Sequence, residues 1–376
     1  MAKEVENECV VLGRDGSLTL HQARLSIADM EDGSVLLRSM LSEVCGTDVH
    51  MKHGRLNTVP YPIIPGHVAV GRVHAVSGVV VDVDGVQIEL DDVVTFLNVI
   101  DTCNSCLSCL VDKQTTRCPR RRVLGITCTA DPSSIRGLLG GWSSFIYLPP
   151  RTKVVKLPRC LPPRVLMAAG CSLETALHAV ERAGVKLMDR VVVQGSGPVG
   201  LLSALLARFS GALQVIVTGA PAHRLEVVEE FGIDATINIE KTSVSDRMKK
   251  VLELTEGRLA DVVIEATGRP EAVAEGMQFC RDGATYVVVG QYTDNGEVSI
   301  NPHFSINRKH LTIRGCWGSD FSHFYRGIQF MAKNVHLPWK SVVSGTYELK
   351  NAGEALASVQ NLTAFKALIR PDSEEP

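Results

Sequence analysis

The feature that most constrains this sequence is a regular alternation of apolar and amphipathic segments between about residues 172 and 318. Short β-branched runs are typical of buried strands, and the segments between them have helical periodicity. Buried strands that alternate with helices are typical of an α/β doubly wound parallel sheet, because the helices cover both faces of the sheet. The predicted strands lie at 191–193, 215–217, 235–239, 262–264 and 286–289, and the predicted helices at 199–209, 222–231 and 271–280.

The length of 376 residues exceeds that of one ordinary domain of ~100–200 residues, so we predict two domains. The first 155 residues or so are rich in Gly, Pro and short β-branched runs, which favour an irregular, mostly β domain with many turns. After about residue 319 the regular alternation ends and the sequence pattern is again mixed, with helices predicted near 323–331 and 352–361. We therefore predict one domain from residues 1–171 and 319–376 and a second from residues 172–318.

The charge balance excludes several classes of partner. The chain is 45% hydrophobic and 21% charged, with a net charge of −2. Nucleic acid or an anionic membrane would favour a clustered basic face, and the Arg120-Arg121-Arg122 run is short enough to be a solvated loop. The N-terminus lacks the apolar stretch of a signal peptide, and no apolar run approaches the ~20 residues that span a bilayer. We therefore expect a cytoplasmic protein.

A glycine-rich turn follows the first predicted strand of the second domain. The chain reads Gly-Ser-Gly-Pro-Val-Gly from Gly195 to Gly200. Gly195 permits the tight turn, Gly197 lets the backbone approach a pyrophosphate, and Gly200 lets the helix pack on the strand. Alone, the pattern could be an ordinary turn, but here a strand precedes it and a helix follows. The context predicts a dinucleotide site.

The end of the second predicted strand bears on the choice between NAD and NADP. An acidic residue there would hold the ribose hydroxyls of NAD, but this chain has Gly219. Gly219 leaves room for a 2′-phosphate, whose charge His223 or Arg224 could meet. Arg224 could equally be the polar start of the next helix. Either cofactor remains possible at this point.

Four of the eleven cysteines are closely spaced, at Cys103, Cys106, Cys109 and Cys118. Cysteines clustered in a reducing compartment indicate a metal site, and four thiolates can close a tetrahedral shell around a structural zinc. An iron–sulfur cluster is the alternative, since Pro119 follows the last cysteine. Its common bacterial form has three residues before that cysteine, whereas this chain has eight. The spacing favours structural zinc.

A second candidate set is scattered along the first domain, at Cys45, His67 and Cys171. Two thiolates and one imidazole would leave the fourth zinc position open for water or an alcohol, as in catalytic sites. Taken singly, each residue could equally be a buried cysteine or a hydrogen-bonded histidine.

With these motifs in order, the chain resembles the zinc-dependent medium-chain dehydrogenases of the alcohol dehydrogenase type over nearly its whole length. The matched elements are Cys-Gly-Thr-Asp-Val-His from Cys45, Gly66-His67, the four-cysteine segment, Gly140-Gly141-Trp142, Cys171 with Thr175, and residues 195–200. The resemblance implies a Rossmann domain and a GroES-like catalytic domain. It also implies two zinc ions, one catalytic and one structural, and NAD or NADP.

The resemblance also implies roles for single residues. Cys45, His67 and Cys171 would hold the catalytic zinc, and Asp48 would orient the imidazole of His67. The proton of the substrate would leave through Thr47 toward His50. Thr175 would lie against the nicotinamide, and Lys366 would contact the pyrophosphate of the cofactor.

One departure from the family pattern affects turnover. Where the family usually has Gly-His-Glu, this chain has Val68 after His67, and Glu174 is a candidate to compensate. Two alternatives therefore stay open: a zinc-free reductase of enones or quinones, and a cofactor-binding protein with weakened turnover. The intact ligand set argues against the first, and Thr47 and His50 argue against the second.

The expected substrate is a small alcohol or its carbonyl product. We expect loops around residues 50–60, Trp142 and residues 316–324 to line its pocket, and their aromatic residues favour a secondary alcohol. We expect the protein to form a homodimer or homotetramer.

Overall fold

The computed structural model describes residues 4–371, which divide into two compact units. The first unit comprises the chain up to Gly170, Asp320–Val335 and the chain from Val343 onward. The second comprises Cys171–Ser319 and His336–Val342. The short return of the chain to the second unit was not predicted. It arises because Trp339 packs edge-on against Phe231, at 5.0 Å between ring centroids.

The described residues form seventeen strands and nine α-helices. The strands are β1 Glu4–Leu12, β2 Leu18–Ser26, β3 Val35–Val44, β4 Ala69–Val76, β5 Val93–Phe96, β6 Val99–Asp101, β7 Arg122–Val123, β8 Phe145–Leu148, β9 Val154–Lys156, β10 Arg190–Gln194, β11 Gln214–Gly219, β12 Ala235–Asn238, β13 Ala260–Glu265, β14 Cys280–Val288, β15 Thr312–Gly315, β16 Val343–Tyr347 and β17 Lys366–Ile369. The helices are α1 Gly46–Lys52, α2 Leu107–Leu110, α3 Pro163–Ala183, α4 Pro198–Phe209, α5 Ala222–Glu230, α6 Val244–Leu254, α7 Pro270–Phe279, α8 Phe321–Lys333 and α9 Ala352–Gln360.

The first unit is built on a seven-stranded sheet, with the order β16-β17-β3-β4-β5-β9 and β8 paired to β3. Every pairing is antiparallel except that of β16 with β17. The sheet packs on a large apolar core that includes Leu36, Phe96 and Trp142. β3 lies at the centre of this sheet, and the residues that follow its end begin the candidate active site.

The second unit is built on a six-stranded parallel sheet, with the order β12-β11-β10-β13-β14-β15. The chain moves outward from β10 to β12 and then returns to the other side of β10 with β13. Parallel sheets of this kind bind ligands where the strand order reverses, at the carboxyl ends of the strands. The glycine-rich turn lies at that point, directly after β10. The predicted doubly wound sheet is therefore confirmed.

Not every β-branched run of the first domain forms a strand in the structure. The apolar run at 79–83 forms no strand; it lies in a surface turn where Val79, Val81 and Val83 are exposed. A β-branched run alone does not make a strand when no partner strand pairs with it. The helices predicted near 323–331 and 352–361 are present as α8 and α9. In the described part of the chain, no helix has the length and apolar character that a bilayer crossing requires.

Candidate active site

Cys45 and His67 lie next to the central pair of strands, β3 and β4. Cys45 directly follows β3, and the carboxylate of Asp48 accepts a hydrogen bond of 2.9 Å from its peptide N–H. This bond caps α1 at its first turn, where the helix dipole favours a negative charge. His67 lies just before β4, and the preceding Pro65 carbonyl accepts a 3.0 Å bond from the N–H of Trp142. Both side chains therefore project from backbone that lies beside the sheet and is held by these hydrogen bonds.

Cys171 completes a three-residue cluster with Cys45 and His67. The Cys45 Sγ atom lies 3.8 Å from His67 Nε2, and the ligand atoms of all three residues lie within 4.8 Å of one another. His67 is buried, with 4% of its surface exposed. Two thiols and one imidazole at this spacing are donors that tetrahedral zinc accepts, with its fourth position left open. The residues present therefore fit a catalytic zinc.

The electrostatics of this cluster reflect several acidic groups placed close together in a buried site. Burial alone would lower the pKa of His67, but Cys45, Asp48 and Glu43 together raise it to about 10. The pKa of Asp48 is raised well above its usual range, first by burial and then by the charge of Cys45. A concentration of negative charge in a buried site is what a divalent cation neutralises.

Asp48 is hydrogen-bonded to Cys45 and not to His67. Its Oδ2 atom accepts from Cys45, while neither Asp48 Oδ1 nor His67 Nδ1 has a hydrogen-bond partner among residues 4–371. The structure therefore has no hydrogen bond by which Asp48 would orient the imidazole, and that role stays a prediction. Its capping position in α1 holds Oδ2 on the backbone instead, and its charge still raises the pKa of His67.

Thr47 and His50 both lie on α1 and are half-buried. They are three residues apart, which puts them on the same side of a helix. The pKa of His50 is lowered, mainly by burial and then by the charge of Arg55. His50 is therefore neutral near pH 7 and able to accept a proton.

The four clustered cysteines lie together as predicted from their spacing. Their ligand atoms lie within 4.8 Å of one another, and the Cys103 N–H donates to Cys118 Sγ at 3.3 Å. The backbone of Ser105, together with the neighbouring thiols, lowers the pKa of Cys103 to about 5. The four thiols form a closed set of four donors, the number that a tetrahedral structural zinc requires.

The glycine-rich turn has the close contacts that its glycines predict. A Cβ atom on Gly200 would lie 2.7 Å from the carbonyl carbon of Gly195, so the helix could not approach the turn with any larger residue. Gly197, by contrast, has open space around it, with the guanidinium of Arg224 3.8 Å from the position of a Cβ. This arrangement leaves the backbone of α4 accessible to a phosphate.

Gly219 has a packing role that the sequence did not reveal. A Cβ atom at this position would lie 2.5 Å from Ser196 Cβ and 2.8 Å from Ser196 N. The interpretation of Gly219 as open space for a 2′-phosphate is therefore corrected, because the space beside it is filled by the turn. Arg224 lies on α5, and burial lowers its pKa.

Two further expectations change with the structure. Trp142 has no exposed surface and donates from Nε1 to the Glu43 carbonyl at 3.2 Å, so it cannot line a substrate pocket. Lys366 is also buried, and its ammonium donates to Glu43 and to the Ala169 carbonyl at 3.0 Å. The expectation that Lys366 contacts a pyrophosphate is corrected, because its donors face protein groups. Thr175 donates its hydroxyl to the Cys171 carbonyl at 3.0 Å.

Comparison with known proteins gives the family. The family described as "Alcohol dehydrogenase GroES-like domain" matches residues 31–159, and the family described as "Zinc-binding dehydrogenase" matches residues 198–333. A 5-exo-hydroxycamphor dehydrogenase from Pseudomonas putida is 32% identical over 92% of each chain. The chain belongs to the zinc-dependent medium-chain dehydrogenases. It is thus an oxidoreductase with a GroES-like domain and a Rossmann domain.

Solved structures of other dehydrogenases have the same fold. An alcohol dehydrogenase from Thermotoga maritima has a TM-score of 0.91 and 35% identity, and the match covers 98% of this dehydrogenase and 100% of the other chain. A zinc-binding dehydrogenase from Sinorhizobium meliloti, bound to NADP, has a TM-score of 0.83 and 24% identity over 98% and 100%. The second likeness shows the fold alone.

Glu43 is the site residue of this dehydrogenase that the sequence analysis missed. It is buried beside the zinc cluster, and its charge acts on both His67 and Asp48. The sequence feature that could have identified Glu43 is that it is the one acidic residue of the apolar strand β3. An acid in a central strand requires a partner, but the sequence does not identify that partner as Lys366.

Proposed function

We propose that this protein is a zinc-dependent alcohol dehydrogenase that interconverts a secondary alcohol and its ketone with NAD or NADP. The observation that carries the proposal is the cluster of Cys45, His67 and Cys171, with ligand atoms within 4.8 Å of one another. This set provides three zinc ligands and leaves one position for substrate.

The residues around the cluster suit the movement of a proton. When bound, zinc would supply Lewis-acid polarisation of the alcohol oxygen, and the nicotinamide would supply the hydride acceptor. Thr47 accepts the hydroxyl proton, and His50, neutral near pH 7, receives it further along α1. In the reverse direction the two residues return the proton to the alkoxide.

The cofactor site accommodates either nicotinamide cofactor in this proposal. The glycine-rich turn brings the backbone and the N-terminus of α4 to the pyrophosphate through Gly195, Gly197 and Gly200. The pyrophosphate is the same in NAD and NADP, so this contact does not distinguish the two cofactors. Gly219 offers no acid to repel a 2′-phosphate, and Arg224 lies next to Gly197. The zinc-binding dehydrogenase from Sinorhizobium meliloti, which has the same fold, is bound to NADP.

The substrate is proposed to be a secondary alcohol on an apolar skeleton. The Pseudomonas putida relative is named for a hydroxylated camphor. Residues 316–324 include Trp317, whose ring stacks on Tyr292 at 5.7 Å between centroids and whose Nε1 donates to the Tyr292 carbonyl. A rigid aromatic pair of this kind favours apolar ligands.

Steady-state rates with a panel of alcohols and ketones, each with NAD and with NADP, test the proposal. We expect secondary alcohols to have the highest kcat/KM and activity to disappear when zinc is chelated. Reduction of enones that persists after chelation would identify a zinc-free reductase instead. Cofactor binding without turnover on any substrate would identify a binding protein. We also propose a homodimer or homotetramer, which sedimentation equilibrium measures.

A further inference from the structure

A fully buried ion pair joins the strands at the centre of the first unit. Lys366 on β17 and Glu43 on β3 are each 1% exposed, and Lys366 Nζ lies 2.5 Å from Glu43 Oε1. Burial of two charges costs free energy that their attraction only partly restores, so apolar residues often replace such a pair without loss of stability. Neither side chain reaches solvent, so we assign the pair no part in the proton transfer proposed above.

The groups that this pair contacts suggest its role. Lys366 Nζ donates to the Ala169 carbonyl at 3.0 Å. A Cβ atom on Gly170 would collide with Glu43 Oε2 and lie 2.7 Å from Lys366 Nζ. The pair therefore contacts both residues that immediately precede Cys171.

The backbone at this point has an unusual conformation. Gly170 interrupts α3 with φ +51° and ψ −146°, outside the helical region. Only glycine adopts such a conformation without strain. The break sets the direction in which α3 resumes at Cys171, and the ion pair lies against the residues of that break.

Glu43 is itself held by the strands that carry the other two ligands. Its N–H donates to the Val68 carbonyl at 3.0 Å, and its carbonyl accepts from Trp142. Val68 follows His67, and Glu43 precedes Cys45 by two residues. Through its backbone and its side chain together, Glu43 thus contacts or adjoins the backbone next to all three members of the cluster.

We propose that the Glu43–Lys366 pair is a positioning device for the zinc ligand Cys171. It fixes the break at Gly170 so that the Cys171 thiol meets Cys45 and His67. This inference rests on the proposed function, because it takes the three residues as zinc ligands. Groups that orient metal ligands typically affect metal affinity by ~10–100-fold.

The test is the double variant Glu43→Gln/Lys366→Met, which removes both charges and keeps the side-chain volumes. We expect its melting temperature to stay close to that of the wild type, because a neutral pair has no uncompensated charge. We expect the affinity of the catalytic site for zinc to fall by ~10–100-fold. The visible spectrum of the cobalt(II)-substituted protein should also change, since a displaced thiolate alters the charge-transfer and d–d bands. The four-cysteine site should keep its metal and serve as an internal reference.

A matched control is Glu275→Gln/Arg247→Met, which neutralises a largely buried ion pair, of 2.5 Å, in the second unit. It should leave zinc affinity and the cobalt spectrum unchanged. If the double variant at 43 and 366 does not fold, Glu43→Gln alone retains an oxygen for Lys366 and should still weaken zinc binding several-fold. A folded variant with wild-type zinc affinity and spectrum would overturn the inference. A wild-type protein that binds zinc only at the four cysteines would instead overturn the proposed function.

Discussion

At the scale of single residues, the candidate active site depends on which atom each side chain presents. Thr47 and His50 share one side of α1, whereas Asp48 between them turns its carboxylate to the Cys45 N–H. The helical repeat therefore separates proton transfer from capping within one short helix. Substitution of each residue should affect one of these properties without the other.

We expect Thr47→Val to lower kcat by roughly 100-fold or more, the range that a positioned proton acceptor contributes. Valine keeps the shape but has no hydroxyl. His50→Gln should be milder, because solvent can replace a half-buried relay. The pKa of His50 lies below its ordinary 6.5, so the wild-type rate of alcohol oxidation should fall only when the pH drops below that value.

Rates measured from pH 5 to 9 check this prediction. His50→Gln should lose the fall at low pH, because no imidazole remains to become protonated. Val49→Ala, a change on the same helix that alters no polar group, is the matched control. Near wild-type turnover in Thr47→Val would remove that residue from the proton path.

The close packing of Gly219 leads to a prediction about the stability of the protein. We expect Gly219→Ala to reduce the free energy of unfolding by roughly 1–3 kcal/mol, the usual cost of overpacking, because its Cβ would lie 2.8 Å from Ser196 N. Gly219→Asp should show the same loss, and it should not simply create a preference for NAD. Thermal melts with and without each cofactor measure both effects.

Gly353 is the control, since it lies in α9 with no atom within 4 Å of the position of a Cβ. Gly353→Ala should stabilise the protein by up to about 1 kcal/mol, because alanine is the better helix former. A Gly219→Asp variant with wild-type stability and a large gain for NAD would restore the interpretation of Gly219 as a selectivity position.

At the scale of elements, the segment between β6 and β7 has little apolar packing of its own. Its helix α2 has only four residues, and Leu107, Leu110 and Val111 are all more than half exposed. A zinc ion bound by the four thiols would therefore be the main source of order in this segment.

We expect Cys109→Ser to open this segment without unfolding the rest of the chain. Trypsin cleavage after Lys113 and Arg117 should accelerate on the order of tenfold or more, which corresponds to a loss of ~1.4 kcal/mol or more in local stability. Mass spectrometry of timed digests identifies the cut sites. Leu107→Ala, at an exposed position of the same segment, should be digested at the wild-type rate. If Cys109→Ser and Leu107→Ala were cleaved at equal rates, metal binding would not be what orders the segment.

The elements also show what the sequence could and could not predict. The glycine-rich turn and the four cysteines are local in sequence, so their spacing determined their geometry. The partners of Lys366 and Gly219 were not predictable in this way. Glu43 is 323 residues away from Lys366 in the chain, and Ser196 meets Gly219 only because β10 and β11 are adjacent. Contacts of this kind depend on tertiary packing, which periodicity does not encode.

At the scale of the whole molecule, the two cysteine clusters differ in how completely they can enclose a metal. The four-cysteine cluster offers a full tetrahedral shell, while the three-residue cluster offers three ligands. A closed shell exchanges its ion slowly, and an open position admits water and chelators. The same chain should therefore hold two zinc ions with different lability.

We expect elemental analysis of protein purified without added metal to give about two zinc ions per chain, one for each ligand cluster. Brief treatment with a chelator should remove one and abolish activity, because the ion at Cys45, His67 and Cys171 has an open face. Cys45→Ser should contain about one zinc and be inactive, while Cys160→Ser, at an exposed cysteine outside both clusters, should keep two and full activity. If the untreated protein held about one zinc and remained active, the three-residue cluster could not be the site where an alcohol binds zinc, and the assignment of Thr47 and His50 would fail with it.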